Sequence, residues 1–353
     1  MSDPAARSRD QYLPLLLCFQ VSILLETVPP TLLLRSPTPE ASGPEPHPGY
    51  NPSVSMPIFL GLDCGGSSSR AMALDHNGQI VHQGQAGSAN LVSTPERRLR
   101  SNLAQATREC PDADYICGCF AGLMTEDDRE RAKSFLSSIF PSARVDAEPD
   151  YAAAFSASES GTDVCVIAGT GSLVCSRVDG RMVKSGGRGY MLGDEGSGFQ
   201  FGRDALLSYL NQPTEASPTL KDAVLKQFDS LVEGAIISKL YQTSSPPATL
   251  AKLAKALSQD AKEGRPYALE SIAIQMDRLA EVVVKHRNRF FAAEPALHIT
   301  LAGGLWQNAP QFRDSFTKSL REKMPRINLE VQRIVKPPVY GAVMLAKEMA
   351  HVN

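Results

Sequence analysis

The sequence lacks the cysteine and histidine patterns of disulfide-stabilised or zinc-binding proteins. Its seven cysteines form no CxxC pair and no spaced framework, and none of its six histidines lies near two cysteines in the sequence. Disulfide-rich secreted domains use spaced cysteine pairs, and structural zinc sites need close sets of Cys and His ligands. The sequence therefore predicts neither. It favours small buried cysteines in a reducing compartment, the cytoplasm.

Basic residues are not in excess, and no apolar run is long. The 36 Lys and Arg residues are balanced by 38 Asp and Glu residues, which gives a net charge of -2 at pH 7. Nucleic acids and anionic membranes are bound mainly through long basic blocks, which are absent here. The apolar run at residues 13–25 is shorter than a membrane-spanning helix, which needs about 20 residues. We expect neither nucleic acid nor membrane as a partner.

The first 55 residues have no pattern of a folded domain. Their apolar run has the length of a signal-peptide core, but two acids precede it and no clear small-residue cleavage site follows. The proline-rich stretch at residues 36–57 is unable to build a core. We therefore expect residues 1–55 to be a disordered or dispensable extension, with the folded protein beginning at residue 56.

Two similar series of strand and turn signals follow. Each has a strand, a loop rich in glycine and hydroxyl residues, a second strand, a tight turn and a third strand. The tight turn is at Asn77 and Gly78 in the first series and at Asp179 and Gly180 in the second. Such pairs between apolar runs are strong hairpin signals. The chain thus repeats an architecture without repeating a sequence.

Helical patterns complete both series. Thr125 and Asp128 have the spacing of a capping box and predict a helix start. Residues 199–291 have helical spacing almost throughout. We predict an α/β protein of two halves, residues 56–160 and 161–353, with a helical insertion at about residues 199–291 in the second half.

Three strand ends are rich in glycine: residues 61–70 (GLDCGGSSSR), 167–172 (IAGTGS) and 301–308 (LAGGLWQN). Each alone is equally consistent with an ordinary turn. No GxxxxGK[ST] sequence occurs, and AGTGS is followed by a strand, so neither a P-loop nor a dinucleotide fingerprint is present. Together, at corresponding places in two halves, they suggest a nucleotide held between the halves.

These motifs also resemble a known family. In order, they are DCGGSSSR, GSANL, EPDYAAA, AGTGS, GGRGYMLGDEGSG and LAGGLWQN. The set resembles the BadF/BadG/BcrA/BcrD-type ATPases of the sugar kinase/Hsp70/actin superfamily, and within them the N-acetylglucosamine and glucosamine kinases, over residues 58–350. The resemblance implies two ribonuclease-H-like (actin-like ATPase) halves around a nucleotide cleft. It also implies ATP and Mg²⁺ as cofactors and a small amino sugar as substrate.

The resemblance implies roles for individual residues. Asp63 would hold Mg²⁺ through water, Asp150 would be the catalytic base, and Asn90 and Asp194 would bind sugar hydroxyls. Taken alone, Asp150 would be a helix N-cap, Asn90 a loop residue and Asp194 a turn or cap residue. The remaining contacts are assigned to Gly65, Gly66 and Ser67 for the β- and γ-phosphates, to Gly169, Thr170, Gly171 and Ser172 for the second phosphate loop (with Thr170 and Gly171 also bordering the sugar), and to Gly303 and Gly304 for adenosine.

The implied activity is ATP-dependent phosphorylation of N-acetyl-D-glucosamine at the 6-hydroxyl. Two positions depart from the family pattern: Ala121 stands where mammalian-type kinases have a serine that contacts the sugar, and Met124 where an acid is common. The GSANL motif resembles the bacterial glucosamine kinases. A glucosamine kinase is therefore the open alternative.

Two other classes of function compete with a kinase. An ATP-driven dehydratase activator of this family needs cysteines that share an iron–sulfur cluster across a dimer, whereas the pattern around Cys165 and Cys175 is typical of core strands. A non-catalytic sensor of sugar and ATP is disfavoured because Asp63, Asp150 and both phosphate loops are intact. The helical region is a candidate homodimer interface.

Overall fold

Runs of apolar and small residues, buried almost throughout in the central strands, form a first mixed sheet of five strands, ordered β3-β2-β1-β4-β5. In this computed structural model, which describes residues 56–307 and 309–351, the predicted extension at residues 1–55 lies outside the described part. β1 pairs antiparallel with β2 and parallel with β4, so its carboxyl end meets that of β4 at one edge. The strands are β1 (Phe59–Cys64), β2 (Ser69–Leu74), β3 (Ile80–Ala86), β4 (Tyr115–Phe120) and β5 (Arg144–Pro149).

Three helices follow the strands of this sheet: α1 (Glu96–Ala106), α2 (Glu126–Ile139) and α3 (Asp150–Ser156). α2 begins at the predicted capping box: the Thr125 side chain accepts from the Asp128 backbone N–H, and the Asp128 side chain accepts from the Thr125 backbone N–H. This pairing satisfies two of the donors that a helix start leaves open. The capping prediction is confirmed.

The second sheet repeats the topology of the first. Its order is β10-β9-β6-β7-β8, which is the same third-second-first-fourth-fifth order when the strands are counted within each sheet. β6 pairs antiparallel with β7 and parallel with β9. The predicted α/β fold of two related halves is confirmed. The strands are β6 (Val164–Ala168), β7 (Ser172–Val178), β8 (Arg181–Gly186), β9 (Ala296–Ala302) and β10 (Asn328–Arg333).

The predicted helical insertion lies between β8 and β9. It consists of α4 (Gly198–Asn211), α5 (Pro218–Phe228), α6 (Glu233–Gln242), α7 (Pro246–Ala251), α8 (Ala254–Lys262) and α9 (Pro266–Phe290). A 3-10 turn (Gly304–Trp306) and α10 (Pro310–Lys323) follow β9. Apolar side chains of these helices form one large core with the second sheet. None of the helices within residues 56–307 and 309–351 is long and apolar enough to cross a membrane.

The last helix, α11 (Pro338–His351), returns to the first sheet. Val339, Val343 and Leu345 pack with Phe59 of β1 in one apolar cluster. A Cβ at Gly61 would lie 2.2 Å from the Val343 backbone nitrogen, so this contact requires glycine in β1. The division made from the sequence groups α11 with residues 161–353, whereas its apolar face belongs to the core of the first sheet.

Candidate active site

The three glycine-rich strand ends line one cavity. Ser67 from the β1–β2 loop, Thr170 from the β6–β7 loop and Gly304 after β9 all face a space of about 760 Å³. Ser67 and Thr170 each follow the first strand of their sheet, and Gly304 follows the fourth strand of the second sheet. The repeated topology therefore places all three loops at the carboxyl ends of the central strands. The site predicted from three separate motifs is therefore one continuous cleft.

Close packing fixes the second and third loops. Gly303 has φ 102° and a Cβ there would lie 2.3 Å from the Ala168 carbonyl oxygen, so the chain after β9 passes directly over the end of β6. A Cβ at Gly171 would lie 2.7 Å from Asp194 Oδ2. Only glycine fits both contacts. By contrast, space around Gly66 is open, which leaves the backbone of the first loop accessible from the cleft.

Asp194 joins the second loop from the segment between β8 and α4. Its side chain is 8% exposed, its backbone has φ 61°, and its carboxylate accepts a hydrogen bond from the Ser172 backbone N–H. Burial raises the pKa of Asp194, and that hydrogen bond opposes the rise. The Ser172 hydroxyl donates to the Glu195 carbonyl oxygen at 2.6 Å. Ser172 thus binds this segment twice, with its backbone N–H at the Asp194 carboxylate and its hydroxyl at the Glu195 carbonyl.

Two carboxyl groups, Asp63 and Asp150, lie at the same edge of the first sheet. Burial raises the pKa of Asp63 to about 6, the charge of Asp150 adds to the rise, and Arg70 opposes it. Burial also raises the pKa of Asp150, while the Tyr151 backbone N–H and the Lys184 charge lower it. The Asp150 charge therefore disfavours the ionisation of Asp63, and a cation bound at Asp63 would oppose this effect.

This pair fits Mg²⁺ better than a metal held by protein ligands alone. Mg²⁺ prefers oxygen ligands, keeps several waters and uses one or two carboxylates together with substrate phosphates. Within residues 56–307 and 309–351, no group of three or more His, Cys, Asp or Glu side chains is placed to hold a metal ion. The carboxylate of Asp63, at the start of the open β1–β2 loop, fits a Mg²⁺ ion whose other ligands are water and substrate phosphate oxygens.

Asn90 lies beside the turn that follows β4. Its Oδ1 accepts hydrogen bonds from the Val92 and Ser93 backbone N–H groups, both at 2.9 Å. A Cβ at Gly122 would lie 3.0 Å from the same oxygen, so the turn packs on this side chain. Since Oδ1 is occupied in its own turn, the Nδ2 amide is the group of Asn90 suited to donate to a ligand.

Sequence reasoning missed Lys184. This β8 side chain reaches the first half: its Nζ lies 5.5 Å from the Tyr151 ring centroid and 3.9 Å from Met124 Sδ. Its charge also acts on Asp150. A single lysine in a strand carries no signal of such a contact, because the contact depends on how the two sheets are packed.

Sequence reasoning also missed the wall that the helical insertion gives the cleft. Lys252, Lys255 and Lys262 line it on one side, and Leu305 and Phe312 give it an apolar floor. Lys255 and Lys262 lie seven residues apart on α8 and so share a helix face, a spacing visible in the sequence, whereas Lys252 lies between α7 and α8.

A family model matches most of the described sequence. The profile of the BadF/BadG/BcrA/BcrD ATPase family matches residues 60–346. The chain belongs to this family. The predicted family resemblance is thereby confirmed.

The chain is also similar to two kinases in sequence and to one solved kinase structure in fold. The N-acetyl-D-glucosamine kinase of Dictyostelium discoideum is 26% identical over 319 residues, which cover 83% of this chain and 98% of that protein. The glucosamine kinase GspK of Vibrio cholerae is 25% identical over 224 residues, covering 61% of this chain and 75% of its own. A ROK family glucokinase of Streptomyces griseus, solved with glucose and AMPPNP, has the same fold, with a TM-score of 0.57 and 18% identity over 82% of this chain and 99% of that chain.

Proposed function

We propose that the protein transfers the γ-phosphoryl group of ATP to an amino sugar, N-acetyl-D-glucosamine, at its 6-hydroxyl. One observation carries this proposal above the others: three glycine-rich strand ends from two sheets line one cleft, and the strand that leads into the first of these loops ends with Asp63, whose carboxyl group interacts with that of Asp150. Membership of an ATPase family supports ATP as the phosphoryl donor. The names of the two curated relatives support an amino sugar as the acceptor.

In this proposal, ATP occupies the cavity of about 760 Å³. The adenine lies against the apolar side chains of Leu305 and Phe312, next to Gly303 and Gly304. The β- and γ-phosphates lie between the first loop, with Gly65, Gly66 and Ser67, and the second loop, with Gly169, Thr170, Gly171 and Ser172. Backbone N–H groups in such loops attract phosphate oxygens. The lysines of the insertion add favourable charge.

Asp150 acts as the base. It takes the proton of the acceptor hydroxyl while that oxygen bonds to the γ-phosphorus and the bond between that phosphorus and the β–γ bridging oxygen breaks, which leaves ADP. Lys184 and the backbone N–H of Tyr151 favour the ionised form that a base needs. Mg²⁺, held through water by Asp63, would neutralise phosphate charge when bound. The side chain of Asn90 and the carboxylate of Asp194 orient the sugar hydroxyls.

Free glucosamine is the alternative acceptor. The GspK relative favours it, and so does the GSANL motif around Asn90. The dehydratase-activator alternative gains nothing from the structure, since Cys165 and Cys175 face each other across β6 and β7 and are fully buried. A cytoplasmic location and a homodimer remain predictions, and size-exclusion chromatography with light scattering tests the dimer.

The test is ADP release by the full chain with Mg-ATP and each of N-acetylglucosamine, glucosamine, glucose or no sugar. Turnover with an amino sugar alone supports the proposal, and the better amino sugar identifies the acceptor. The variant Asp150→Asn is measured beside it, since loss of sugar-dependent turnover there ties the activity to this site. Sugar-independent ATP hydrolysis would overturn the proposal.

A further inference from the structure

The helical insertion gives the cavity proposed for ATP (the nucleotide cavity) a wall of cations without partners. Lys252, Lys255 and Lys262 line this cavity, whereas no aspartate or glutamate does. Within residues 56–307 and 309–351, no carboxylate lies within 4.0 Å of the three ammonium groups. The wall therefore carries three positive charges that the described part of the protein does not neutralise, which favours the binding of an anion.

Ser258 adds a hydrogen-bond donor between two of these lysines. It is three residues after Lys255 and four before Lys262, so the three side chains share one face of α8. Ser258 lines the cavity and is 8% exposed. The Gln311 side-chain amide donates to the Ser258 hydroxyl oxygen at 2.7 Å, and the hydroxyl proton has no acceptor among the described residues. We call Lys255, Ser258 and Lys262 the donor face.

The start of this wall adjoins the second phosphate loop. A Cβ at Gly198 would lie 3.4 Å from the Ala251 Cβ, at the end of α7. The Gly198 backbone N–H in turn donates to the carbonyl oxygen of Gly169, in the second phosphate loop, at 2.7 Å. The junction of α7 and α8 therefore lies next to the place proposed for the phosphates of ATP.

The wall also adjoins the apolar floor of the cavity. The hydrogen bond from Gln311 joins Ser258 to the first turn of α10, where the next residue is Phe312 of the floor. In the proposed position of ATP, the phosphates lie at the loops and the adenine on the floor. The molecule then runs beside α8, with its ribose nearest to Lys255 and Ser258.

The donor face has the wrong chemistry for a site that recognises only a free ribose. In dinucleotide-binding folds, a carboxylate accepts a hydrogen bond from the ribose 2′-hydroxyl, and a cationic side chain accommodates a ribose phosphate. Lysine ammonium groups bind phosphate as point charges. Here carboxylates are absent from the lining, and two ammonium groups and one hydroxyl proton face the cavity.

We propose that the donor face binds a phosphate group on the ribose, so that the cavity prefers adenine nucleotides phosphorylated at the 2′- or 3′-hydroxyl. This inference rests on the proposed function for the placement of the nucleotide alone. A ligand of this class occupies the ATP position with its adenine and its 5′-phosphate, while its additional phosphate contacts the donor face. It therefore competes with ATP and not with the sugar.

The test is calorimetric titration of the full chain with 5′-AMP, adenosine 2′,5′-bisphosphate and adenosine 3′,5′-bisphosphate at one salt concentration. The three probes share the adenine, the ribose and the 5′-phosphate, and differ only in the additional phosphate. We expect at least one bisphosphate to bind about tenfold more tightly than AMP, as one charge-assisted hydrogen bond provides. Equal affinities, or no binding of either bisphosphate, overturn the inference.

Variants assign the preference to the donor face. The double variant Lys255→Gln and Lys262→Gln should bring the ratio of the two affinities near one. Ser258→Ala, which removes no charge, should lower the ratio about threefold, as the loss of one hydrogen bond does. The control Lys226→Gln and Lys318→Gln removes two exposed charges outside the cavity and should leave the ratio unchanged. A preference that survives the first double variant, or that the control removes equally, overturns the inference.

Failure of the kinase proposal is recognised separately, because these titrations need no turnover. If no sugar is phosphorylated, the ratio of affinities still decides the inference. If the kinase is active and the ratio is near one, the inference alone fails. In the active kinase, the tighter bisphosphate should inhibit competitively with ATP and leave KM for the sugar unchanged. Inhibition competitive with the sugar would contradict the position of the donor face and overturn the inference.

Discussion

Asp63→Asn should make the metal-free protein more stable while removing its activity. Asp63 has a pKa raised from 3.8 to about 6 by burial and by the Asp150 charge. A raised pKa means that the folded state binds this proton more tightly than the unfolded state does. The contribution of Asp63 to stability is therefore fully present below pH 3.8, falls as the pH rises to about 6, and stays low above that.

The size of the effect follows from the shift. A change of about two pKa units corresponds to about 3 kcal/mol of unfolding free energy. Asparagine has nearly the same shape without the charge, so above pH 6 the variant should gain up to about 3 kcal/mol. For a chain of this length that is a rise in Tm of about 4 °C. At about pH 4, where Asp63 is largely protonated, the gain should mostly disappear.

The assay is thermal and urea unfolding of both proteins in EDTA at about pH 7.5 and about pH 4. Asp222→Asn, an exposed position of α5, is the matched control and should change neither midpoint. Mg-ATP should raise the Tm of the wild-type protein more than that of Asp63→Asn. A variant less stable than wild type at pH 7.5 would refute the reasoning, since it would mean that the Asp63 charge is favourably paired in the folded protein.

Other substitutions test the remaining parts of the site. Asp150→Asn should lower kcat about 10²–10⁴-fold with an unchanged KM for ATP, and near-normal steady-state turnover would exclude Asp150 as the base. Asn90→Ala should raise KM for the sugar far more than KM for ATP, because Asn90 lies beside the turn after β4 and lines no part of the nucleotide cavity; equal effects would contradict this placement. Gly303→Ala should cost at least about 2 kcal/mol in urea unfolding, because its Cβ would lie 2.3 Å from the Ala168 carbonyl oxygen. The control Gly234→Ala has open space around the new Cβ in α6 and should not lower the free energy of unfolding. Equal losses of unfolding free energy in the two variants would contradict the clash.

Local signals predicted much of the fold. The turn at Asn77 and Gly78 has φ 82° at the glycine, and the turn at Asp179 and Gly180 has φ 49° and 76°. These backbone angles are what the residue types favour, independent of the rest of the chain. The capping box at Thr125 was equally readable because it acts within one turn of helix.

Contacts between distant segments were not predictable in this way. The return of α11 to the first sheet depends on a close approach of Gly61 and Val343, far apart in the sequence. The contact of Lys184 with Met124 and Tyr151 depends on the packing of two halves. Within the candidate site, the hydrogen bonds that Asn90 Oδ1 accepts from Val92 and Ser93 are local. An asparagine in a loop can form several such local hydrogen bonds, however, and the sequence does not determine which of them forms.

Following the γ-phosphorus of ATP tests phosphoryl transfer to an amino sugar most directly. The full chain, Mg-ATP and N-acetylglucosamine are incubated, and ³¹P and ¹³C NMR spectra of the products are recorded. The predicted result is ADP together with a phosphate monoester on the sugar, with the ¹³C shift and phosphorus coupling at C6. Inorganic phosphate as the sole product, with the sugar unchanged, would contradict the assignment of this cleft as a sugar kinase site.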